Sequence, residues 1–299
     1  MVSKLSGRRF IIWGLRNSRH SHRYIHRGFY ETLRRLSVEV LWLDDLEKNR
    51  DLVRPGDLVI AAGVACKFLP VSHKVQYVLH NVDNPNILET ANKILLQVFT
   101  TDSRGEKIDE TISLWNEKDK TLYQPWGLPE PREDWLPPRN FKSKKENWIG
   151  AIWDNELRQG NREQLDLYIS LLKNQGIKFS RLGGTRSISK EGLSSKKSFE
   201  KVNQSRIGAA VVGDWQKRSG YVPCRAFKNI AAGAIPISNA NMTHVFGSDY
   251  LHIPDLEELV EFSLGLDYKQ ISMRSESCKG TLVGYSFERA LARMVSVGL

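Results

Sequence analysis

Short apolar runs alternate with amphipathic segments along most of the chain, and no other feature of the sequence restricts the fold as strongly. In the N-terminal half the apolar runs are RRFIIWGL, VEVLWL, DLVIAAG, VQYVLH and QVFTT. The first two flank HSHRYIHRGFYETLRRL, in which Tyr24, Ile25, Phe29, Leu33 and Leu36 recur near the helical period. Strands that alternate with helices or loops predict a parallel sheet covered on both faces.

The same alternation begins again after a proline-rich, charged stretch, LYQPWGLPEPREDWLPPRNFKSKKEN, which is typical of a linker. Beyond it, NWIGAIW, IKFSRLGG, RIGAAVV and AIPISN are predicted strands, and NREQLDLYISLLKNQG, SKKSFEKVNQS and DLEELVEFSLGL are predicted helices. We therefore predict an α/β protein with two Rossmann-like, doubly wound parallel-sheet domains that face a cleft. The predicted parts are an N-terminal domain over 1–125, a linker over 126–146, a C-terminal domain over 147–280 and a helical tail over 281–299, expected to cross back to the N-terminal domain.

Length and composition place the chain among folded, soluble proteins. Its 299 residues are enough for two cores, and 40% of them are hydrophobic. No apolar run approaches the roughly 18–20 residues that cross a bilayer, and the first run is too short for a signal peptide. Cys66, Cys224 and Cys278 lie far apart without metal-ligand spacing, so we expect reduced thiols and a cytoplasmic location.

The positive charge is concentrated near the N-terminus. The chain carries a net charge of +10, and its first 35 residues contain nine Lys or Arg but a single acidic residue, Glu31. A surface of this kind attracts nucleotides, nucleic acid, acidic glycans or lipid headgroups. The alternative is an ordinary solvated surface on a basic protein.

The stretch GYVPCRAFKNIAAGAIPISN has the signals of a short helix that leads into a strand. Pro223 suits the first turn of a helix, where its missing N–H would be unpaired in any case. Phe227, Ile230 and Ala231 follow the spacing of one buried helix face. Gly233 suits the left-handed position that follows the last turn.

Arg225 lies in the first turn of this predicted helix, where the positive end of the helix dipole disfavours a cation by roughly 0.3–1 kcal/mol. Lys228 follows one turn later. An anion bound at the helix N-terminus and clamped by Arg225 would offset this repulsion. The alternative is that Arg225 turns away to an acidic neighbour or to water.

The order of residues in this stretch (a glycine–aromatic turn, a proline, an arginine, a short helix and an apolar strand) resembles the nucleotide-sugar motif of glycosyltransferases with the GT-B fold. The resemblance implies that Arg225 binds the diphosphate of a nucleotide-sugar donor. Lys228 stands where many members have a glutamate that binds the ribose, so Lys228 would add a second phosphate charge. The remaining donor-binding positions that the resemblance implies are Gly220, Tyr221, Val222 and Pro223 near the sugar, and Ser238 and Asn239 at the end of the next strand.

Two further segments come directly after predicted strands of the C-terminal half. GDWQKRSGY follows RIGAAVV, so Asp214 and Trp215 are candidates for the donor site at that strand's carboxyl end. Trp215 either stacks on a ring of the donor or packs against other protein surface. In GAIWDNELRQGN, we expect Asn161 to be the N-cap of the helix that it precedes.

The segment after the first predicted strand carries the candidates for acceptor binding and catalysis. Arg16, Asn17, Ser18 and Arg19 are expected to bind the acceptor. His20 and His22 are candidates for the general base that removes a proton from the acceptor hydroxyl, with Ser21 as a helix N-cap. His80 ends VQYVLH, lies close to Asp83 and is the third candidate for this base, and the sequence does not rank the three.

The sequence also restricts the cofactors. It contains no Asp-x-Asp pattern of the kind that holds a metal on a diphosphate, and its histidines lack zinc spacing. We therefore predict no metal and no cofactor, with the nucleotide sugar as a substrate. P-loop and GxGxxG glycine patterns are absent, which disfavours an ATPase or a dehydrogenase.

The resemblance and the residues together predict a metal-independent enzyme that moves a sugar from a UDP- or GDP-sugar to a hydroxyl of a glycan. A DNA base is the alternative acceptor, which the basic N-terminal segment favours and which would have to be flipped into the site. A non-catalytic nucleotide or nucleic-acid binding protein is the other alternative. Peripheral membrane contact through the basic segment is a further option, and the sequence leaves the oligomeric state open.

Overall fold

The structure is a computed structural model of the chain, and it describes residue 5 and residues 7–18, 22–82, 84–97, 106–107, 114–125, 134–139, 143–182 and 195–299. The described residues form two compact units. The first unit contains the described residues up to 125 together with Ser286–Leu299. The second contains those from 134 to Tyr285.

The first unit is built on an eight-stranded sheet within the described residues, with the order β2-β1-β3-β4-β5-β8-β7-β6. Strands β1 to β5 and β8 are parallel, and the last two strands at the edge are antiparallel. The strands are β1 (Phe10–Trp13), β2 (Val40–Leu43), β3 (Leu58–Ala62), β4 (Gln76–His80), β5 (Asn92–Gln97), β6 (Glu106–Lys107), β7 (Leu114–Asn116) and β8 (Thr121–Tyr123). The helices are α1 (Arg23–Arg35) and α2 (Pro85–Thr90), and short 3-10 turns lie at Glu47–Leu52 and Gly63–Ala65.

The strand order has a topological switch point at β1, because the chain goes from β1 to β2 on one side and to β3 on the other. Strands β1 and β3 are buried along their whole length, as the continuous apolar runs FIIW and LVIAA predict. In open parallel sheets, ligands bind beyond the carboxyl ends of the strands at such a point. We therefore expect a ligand of this unit to bind near the residues that follow β1 and β3.

One predicted strand of this unit begins earlier than the sequence indicated. QVFTT was expected to be a strand, but β5 runs from Asn92 to Gln97, so Gln97 alone is shared and 98–101 lie outside the described residues. In NKILLQ apolar and polar residues alternate only in part, so the sequence pattern did not indicate a strand there. Ile94 and Leu96 are buried, while Asn92 is exposed.

The last helix of the chain, α10 (Phe287–Ser296), packs on α1 within the first unit. The ring of Phe287 lies 5.0 Å from the ring of Phe29, between centroids. A β-carbon placed on Gly28 would lie 2.1 Å from the same Phe287 ring, so this helix approach requires glycine. Arg35 and Glu288 form an ion pair at 3.0 Å beside this contact.

Among its described residues, the second unit contains two pairs of parallel strands, seven α-helices and a 3-10 turn. The strands are β9 (Lys145–Ile149), β10 (Lys178–Leu182), β11 (Ile237–Ser238) and β12 (Leu251–His252), paired as β10-β9 and β11-β12. The helices are α3 (Arg162–Asn174), α4 (Ser195–Asn203), α5 (Asp214–Arg218), α6 (Cys224–Ala231), α7 (Thr243–Phe246), α8 (Leu256–Gly265), α9 (Tyr268–Leu282) and the 3-10 turn Val283–Tyr285. The sequence did not predict α5, α7 or α9.

The predicted strand RIGAAVV is a buried segment, 206–212, that lies between β9 and β11 without a regular ladder of its own. Arg206 N–H donates to the Lys145 carbonyl at 2.7 Å, and Ala210 N–H donates to the Ile237 carbonyl at 3.0 Å. Glu146 interrupts the ladder on the β9 side, because its carboxylate accepts from the N–H groups of Ile207 and Gly208 at 2.9 and 2.8 Å. The prediction that RIGAAVV forms a regular hydrogen-bonded strand was therefore wrong, although the segment lies beside β9 and β11.

Among the described residues, none of the helices combines the length and the apolar character that a bilayer span requires.

Candidate functional site

Helix α6 forms as its sequence predicts. Pro223 is the N-cap, with an extended backbone at φ −70° and ψ 145°, so Arg225 is the second residue of the helix. Phe227, Ile230 and Ala231 are buried on one face. Gly233 adopts φ +73°, which ends the helix in the left-handed region, as predicted.

The guanidinium of Arg225 turns toward the carboxyl end of β9. Its carbon atom lies 3.4 Å from the ring centroid of Trp148, so the two groups stack. Its Nε donates to the carbonyl of Ile149 at 3.3 Å, and Nη1 donates to the carbonyl of Val211 at 3.4 Å. Ile149 is the last residue of β9, and Val211 lies near the end of the neighbouring 206–212 segment.

Gly150 makes room for this arginine. It follows the last residue of β9 and adopts φ +150°, a conformation that L-residues with side chains rarely adopt. A β-carbon on Gly150 would lie 2.4 Å from Nη2 of Arg225. Because Gly150 has no side chain, it leaves space for the guanidinium of Arg225 at the carboxyl end of β9.

The positive charge of Arg225 is balanced by dipoles. Among the described residues, the groups that raise the pKa of Arg225 electrostatically are Cys224 and Tyr221, and neither is an Asp or a Glu. Burial lowers the pKa of Arg225 to about 10, so it stays charged at neutral pH. Loss of hydration also lowers the pKa of Lys228, one turn further along α6, and Arg225 lowers it further. Two cations thus lie close together in a partly buried place, an arrangement that favours an anionic ligand.

The loop before α6 brings the predicted residues Gly220, Tyr221 and Val222 next to this cation. Gly220 adopts φ +64°, and the N–H of Tyr221 donates to the Gln216 carbonyl at 3.1 Å. Tyr221 is partly buried and Val222 is fully buried. Desolvation raises the pKa of the Tyr221 hydroxyl, which therefore stays protonated and able to donate a hydrogen bond.

Asp214 and Trp215 begin helix α5, directly after the 206–212 segment. Asp214 is exposed and pairs with Lys217 at 2.6 Å, within one helix turn. Trp215 is partly buried in the first turn of the same helix. Stacking of Trp215 on a ring of the donor stays a prediction.

Ser238 and Asn239 have a structural task in this arrangement. The side chain of Asn239 accepts from the N–H of Val212 and donates to the carbonyl of the same residue, both at 2.9 Å. Ser238 Oγ donates to the Ala210 carbonyl at 2.8 Å. Both residues are fully buried. These side chains replace the strand hydrogen bonds that the 206–212 segment lacks, and we leave them out of the donor site proposed below.

Asn161 occupies the N-cap position of α3, as predicted, but its side chain makes no cap hydrogen bond. Its Oδ1 accepts from the N–H of Trp153 at 3.2 Å, and its Nδ2 donates to the Ala151 carbonyl at 3.3 Å. Asn161 therefore shapes the loop that follows Gly150 instead of capping the helix.

The predicted acceptor residues of the first unit lie after β1. Arg16 is exposed and donates to the Trp42 carbonyl at 3.2 Å, while Asn17 Nδ2 donates to Asp44 at 2.6 Å. Ser18 is partly buried. The predicted residues Arg19 and His20, the predicted N-cap Ser21, and Asp83 lie outside the described residues.

Three histidines meet at this edge of the first unit's sheet. His80 is the last residue of β4, and His26 and His22 come from α1 and its N-cap. Nε2 of His26 lies 3.0 Å from Nε2 of His80, and Nδ1 of His26 lies 3.2 Å from the Gly14 carbonyl. The rings of His22 and His80 meet edge to face, with centroids 5.3 Å apart.

The sequence interpretation missed His26. It lies on the buried face of α1 beside Ile25 and Phe29, and it is 0% exposed. A histidine on the apolar face of a helix, one turn from His22 and pointing toward the strand ends, was the available signal. Among the described residues, no three His, Cys, Asp or Glu side chains are arranged so that they could hold a metal ion.

No protein-family description matches the sequence, and no curated protein matches it. Solved structures are similar over almost the whole chain. OtsA in its apo form shares 12% identity with a TM-score of 0.60, covering 98% of this chain and 99% of OtsA. An alpha-glucosyltransferase (AGT) in complex with UDP shares 11% identity with a TM-score of 0.58, covering 96% and 99%. A trehalose-6-phosphate synthase structure of OtsA shares 11% identity with a TM-score of 0.52, covering 90% and 76%.

This likeness identifies the class of fold. The chain has the GT-B fold, which these glycosyltransferase structures share, and the prediction of an α/β protein of this type is confirmed. At identities this low the similarity concerns the fold alone, so the activity has to be argued from the residues of this chain.

Proposed function

We propose that the chain is a glycosyltransferase that moves a sugar from a UDP- or GDP-sugar to a hydroxyl group of a glycan. The second unit binds the nucleotide sugar in this proposal, and the residues after β1 in the first unit bind the acceptor. The fold supports the proposal, because glycosyltransferases are among the solved structures that are similar to the chain. One of them contains UDP, which makes UDP the first nucleotide to test.

The buried cation at the start of α6 carries the proposal. Arg225 is held by a ring face and two carbonyl oxygens, and it has no carboxylate partner among the described residues. Helix α6 begins at Cys224, beside Arg225, and the first N–H groups of a helix are suited to bind an anion. A diphosphate is the ligand that would use both the guanidinium and these N–H groups. Lys228 adds charge, and Gly220, Tyr221, Val222 and Pro223 line the approach, with Asp214 and Trp215 nearby in sequence.

The proposed reaction breaks the bond between the anomeric carbon and the phosphate oxygen, and its electron pair leaves with the diphosphate. Arg225 and the N-terminus of α6 stabilise the charge that develops on this leaving group. The acceptor oxygen forms a new bond to the anomeric carbon, and its proton passes to a histidine. His22 and His80 are the described candidates for this role, and His20 remains a prediction.

We propose that transfer needs no metal ion, because two cations and a helix N-terminus already meet the charge of a diphosphate. Activity should therefore persist after exhaustive treatment with EDTA. A requirement for Mg²⁺ or Mn²⁺ would contradict this part of the proposal. Among the described residues, Cys66, Cys224 and Cys278 form no disulfide, which is consistent with a proposed cytoplasmic location.

Nucleotide binding is the direct test. Thermal-shift and calorimetric titrations with UDP, GDP and their sugar conjugates should reveal at least one ligand that stabilises the protein, since a ligand of the folded state raises its stability. We expect Arg225→Ala to weaken binding by about 10- to 100-fold, which corresponds to about 1.5–3 kcal/mol for hydrogen bonds to a charged group. Hydrolysis of the bound nucleotide sugar would separate an enzyme from a binding protein.

Arg50→Ala is a matched control, because it removes an exposed arginine of the first unit. It should leave nucleotide affinity unchanged. If Arg225→Ala binds every nucleotide as tightly as the Arg50→Ala protein does, the diphosphate assignment is wrong.

A nucleic-acid acceptor is the second candidate, and a cluster of the exposed Arg34 with the partly buried rings of Tyr30 and Trp42 on the first unit favours it. The guanidinium carbon of Arg34 lies 5.9 Å from the ring centroid of Tyr30, and the rings of Tyr30 and Trp42 lie 5.4 Å apart. Surfaces that bind single strands combine such cations with rings on which bases stack. Binding of single- and double-stranded DNA should be measured at several salt concentrations. A steep loss of affinity with salt that Arg34→Ala reduces would favour a DNA acceptor over a glycan.

A further inference from the structure

Helix α6 has two opposite faces that are held in different ways. On one face Phe227 and Ile230 are buried, and the ring of Phe227 lies 4.8 Å from the ring of Phe246, between centroids. Arg225 and Asn229 lie one turn apart on the opposite face. Apolar contact has no direction, so it does not by itself fix how the helix is rotated about its axis. The orientation of α6 therefore depends on the directional bonds of the second face.

Both residues of that second face donate hydrogen bonds to carbonyl groups of the 206–212 segment. Nδ2 of Asn229 donates to the carbonyl of Gly208 at 2.6 Å, and Nη1 of Arg225 donates to the carbonyl of Val211 at 3.4 Å. Asn229 is 6% exposed, so water competes little for its bond. Because hydrogen bonds weaken with length, the bond from Asn229 restrains α6 more strongly than the bond from Arg225.

Gly208 is itself held firmly on its other side. Its N–H donates to Oε1 of Glu146 in β9 at 2.8 Å. It adopts φ +75°, and a β-carbon on it would lie 2.6 Å from the β-carbon of Ala234, so this position requires glycine. Trp148 belongs to the same strand as Glu146. The bonds from Glu146 through Gly208 to Asn229 therefore set the position of α6 relative to the ring of Trp148.

We propose that Asn229 is a positioning residue of the donor site, because its bond to Gly208 fixes the orientation of α6 and thereby holds the guanidinium of Arg225 over Trp148. Loss of this bond would remove a donor from the buried Gly208 carbonyl and would leave α6 held by its apolar face and the longer contacts of Arg225. The consequence for nucleotide affinity rests on the proposed function, in which Arg225 binds the diphosphate. The position of Arg225 can be tested without it.

Asn229→Asp tests the bond within a single protein, because the new group has nearly the size of the amide and changes with pH. A protonated carboxyl has an O–H that can donate to the Gly208 carbonyl, whereas a carboxylate only accepts. Burial should raise the pKa of the new carboxyl, so we expect it to be protonated at about pH 5 and increasingly ionised toward about pH 8. Asn229→Leu is the companion variant, since it has a similar volume and no donor at any pH.

The position of Arg225 can be followed by NMR on the full-length protein without a nucleotide. In ¹H–¹³C spectra of protein labelled at arginine, the δ-methylene signal of Arg225 is identified by its loss in Arg225→Lys. The ring current of Trp148 should move this signal upfield of the signals of exposed arginines. We expect Asn229→Asp to keep the wild-type position at the low pH and to shift toward the exposed arginines as the pH rises, while circular dichroism verifies that the protein stays folded.

Asn229→Leu should give the shifted signal at every pH. A signal of Arg225 that keeps its wild-type position in the folded aspartate variant over the whole pH range would overturn the proposal. The aspartate variant decides the question if the leucine variant does not fold, because it is compared with itself and with the wild type at each pH.

Nucleotide affinity is the second measurement. UDP is titrated into each protein, or GDP if UDP does not bind the wild type, and affinities are compared at the same pH because Glu146 has a pKa of about 7 and titrates in this range. We expect Asn229→Leu to bind about 3- to 10-fold more weakly at every pH, and Asn229→Asp to show this loss only where its carboxyl is ionised. Asn174→Asp is the control, since it places a carboxylate at the exposed end of α3, and it should match the wild type.

The two measurements separate this inference from the proposed function. If the wild type binds neither UDP nor GDP, the proposed function is refuted, and the NMR signal of Arg225 still decides whether Asn229 positions it. If the signal shifts in the variants and UDP affinity does not change, the positioning is supported and the assignment of Arg225 to the diphosphate is wrong.

Discussion

The guanidinium of Arg225 lies over the indole of Trp148 at the end of strand β9, with its carbon atom 3.4 Å from the ring centroid. Trp148 is 2% exposed and belongs to the core of the second unit, so its ring is rigidly held. The stack keeps the cation at the start of α6 although the helix dipole disfavours a positive charge there. A diphosphate would find the guanidinium already oriented, which reduces the entropy lost on binding.

Loss of the ring should therefore weaken nucleotide binding. A cation–π contact at a desolvated site contributes on the order of 1–2 kcal/mol, so we expect Trp148→Leu to bind the nucleotide about 5- to 30-fold more weakly. Trp148→Phe keeps a ring and should lose much less, because the indole N–H of Trp148 has no hydrogen-bond partner among the described residues. Calorimetric titration of both variants checks this. Equal affinities for the two would show that the stack does not position Arg225.

Gly150 is the second position where a small change should move the guanidinium. Gly150→Ala places a β-carbon 2.4 Å from Nη2 of Arg225 at φ +150°, so the arginine or the backbone must shift. We expect a loss of nucleotide affinity comparable to that of Arg225→Ala, measured by the same titration. Gly280→Ala is the control, since a β-carbon there meets nothing within 4 Å, and it should stabilise α9 by roughly 0.5–1 kcal/mol. Unaltered affinity in Gly150→Ala would refute the close approach.

Glu146 should make the stability of the protein depend on pH. Burial raises its pKa from 4.5 to about 7, although the N–H groups of Ile207 and Gly208 and the hydroxyl of Tyr168 oppose the shift. Between these two values the folded state binds more protons than the unfolded state, so the free energy of unfolding falls as the pH rises through this window. The loss is on the order of 3 kcal/mol and is complete above about pH 7.

Urea unfolding of the wild type and of Glu146→Gln from about pH 5 to about pH 8 tests this expectation. The glutamine cannot ionise, so the difference between the two proteins isolates the contribution of Glu146. We expect the wild type to lose stability with rising pH relative to the variant. Parallel curves would mean that the carboxylate stays ionised in the folded protein throughout.

Gly28 should be intolerant of even one methyl group. A β-carbon there would lie 2.1 Å from the Phe287 ring, so Gly28→Ala should destabilise the first unit by about 1–3 kcal/mol through overpacking. Thermal or chemical unfolding measures this loss. Combining Gly28→Ala with Phe287→Leu should restore part of the stability, because the smaller side chain relieves the clash. Strictly additive losses would show that the two residues do not share this space.

The local elements could be predicted from the sequence because each depends on neighbouring residues. The apolar runs FIIW and LVIAA became buried parallel strands, and the spacing of Phe227, Ile230 and Ala231 became the buried face of α6. Gly233 ended that helix with a positive φ, as its place after the last turn indicated. The GT-B class was predicted from the resemblance of the stretch around Arg225 to the nucleotide-sugar motif of that family.

Elements whose hydrogen bonds come from distant side chains were harder to predict. RIGAAVV has the composition of a strand, but Glu146 and Asn239 occupy the positions of its strand partners. No local window contains both the segment and those side chains. For the same reason the sequence suggested donor contacts for Ser238 and Asn239, whose polar atoms the fold uses internally.

The amino-acid order alone thus specified the α/β class, several buried strands and amphipathic helices in each half of the chain, and a cation in the first turn of α6, because period and turn chemistry act over a few residues. The three-dimensional packing decided that this cation lies on Trp148 and that His26 contacts both Gly14 and His80. These partners come from separate strands and helices. Within each unit, their distances depend on how the strands and helices pack together. Patterns of neighbouring residues along the chain do not encode that packing.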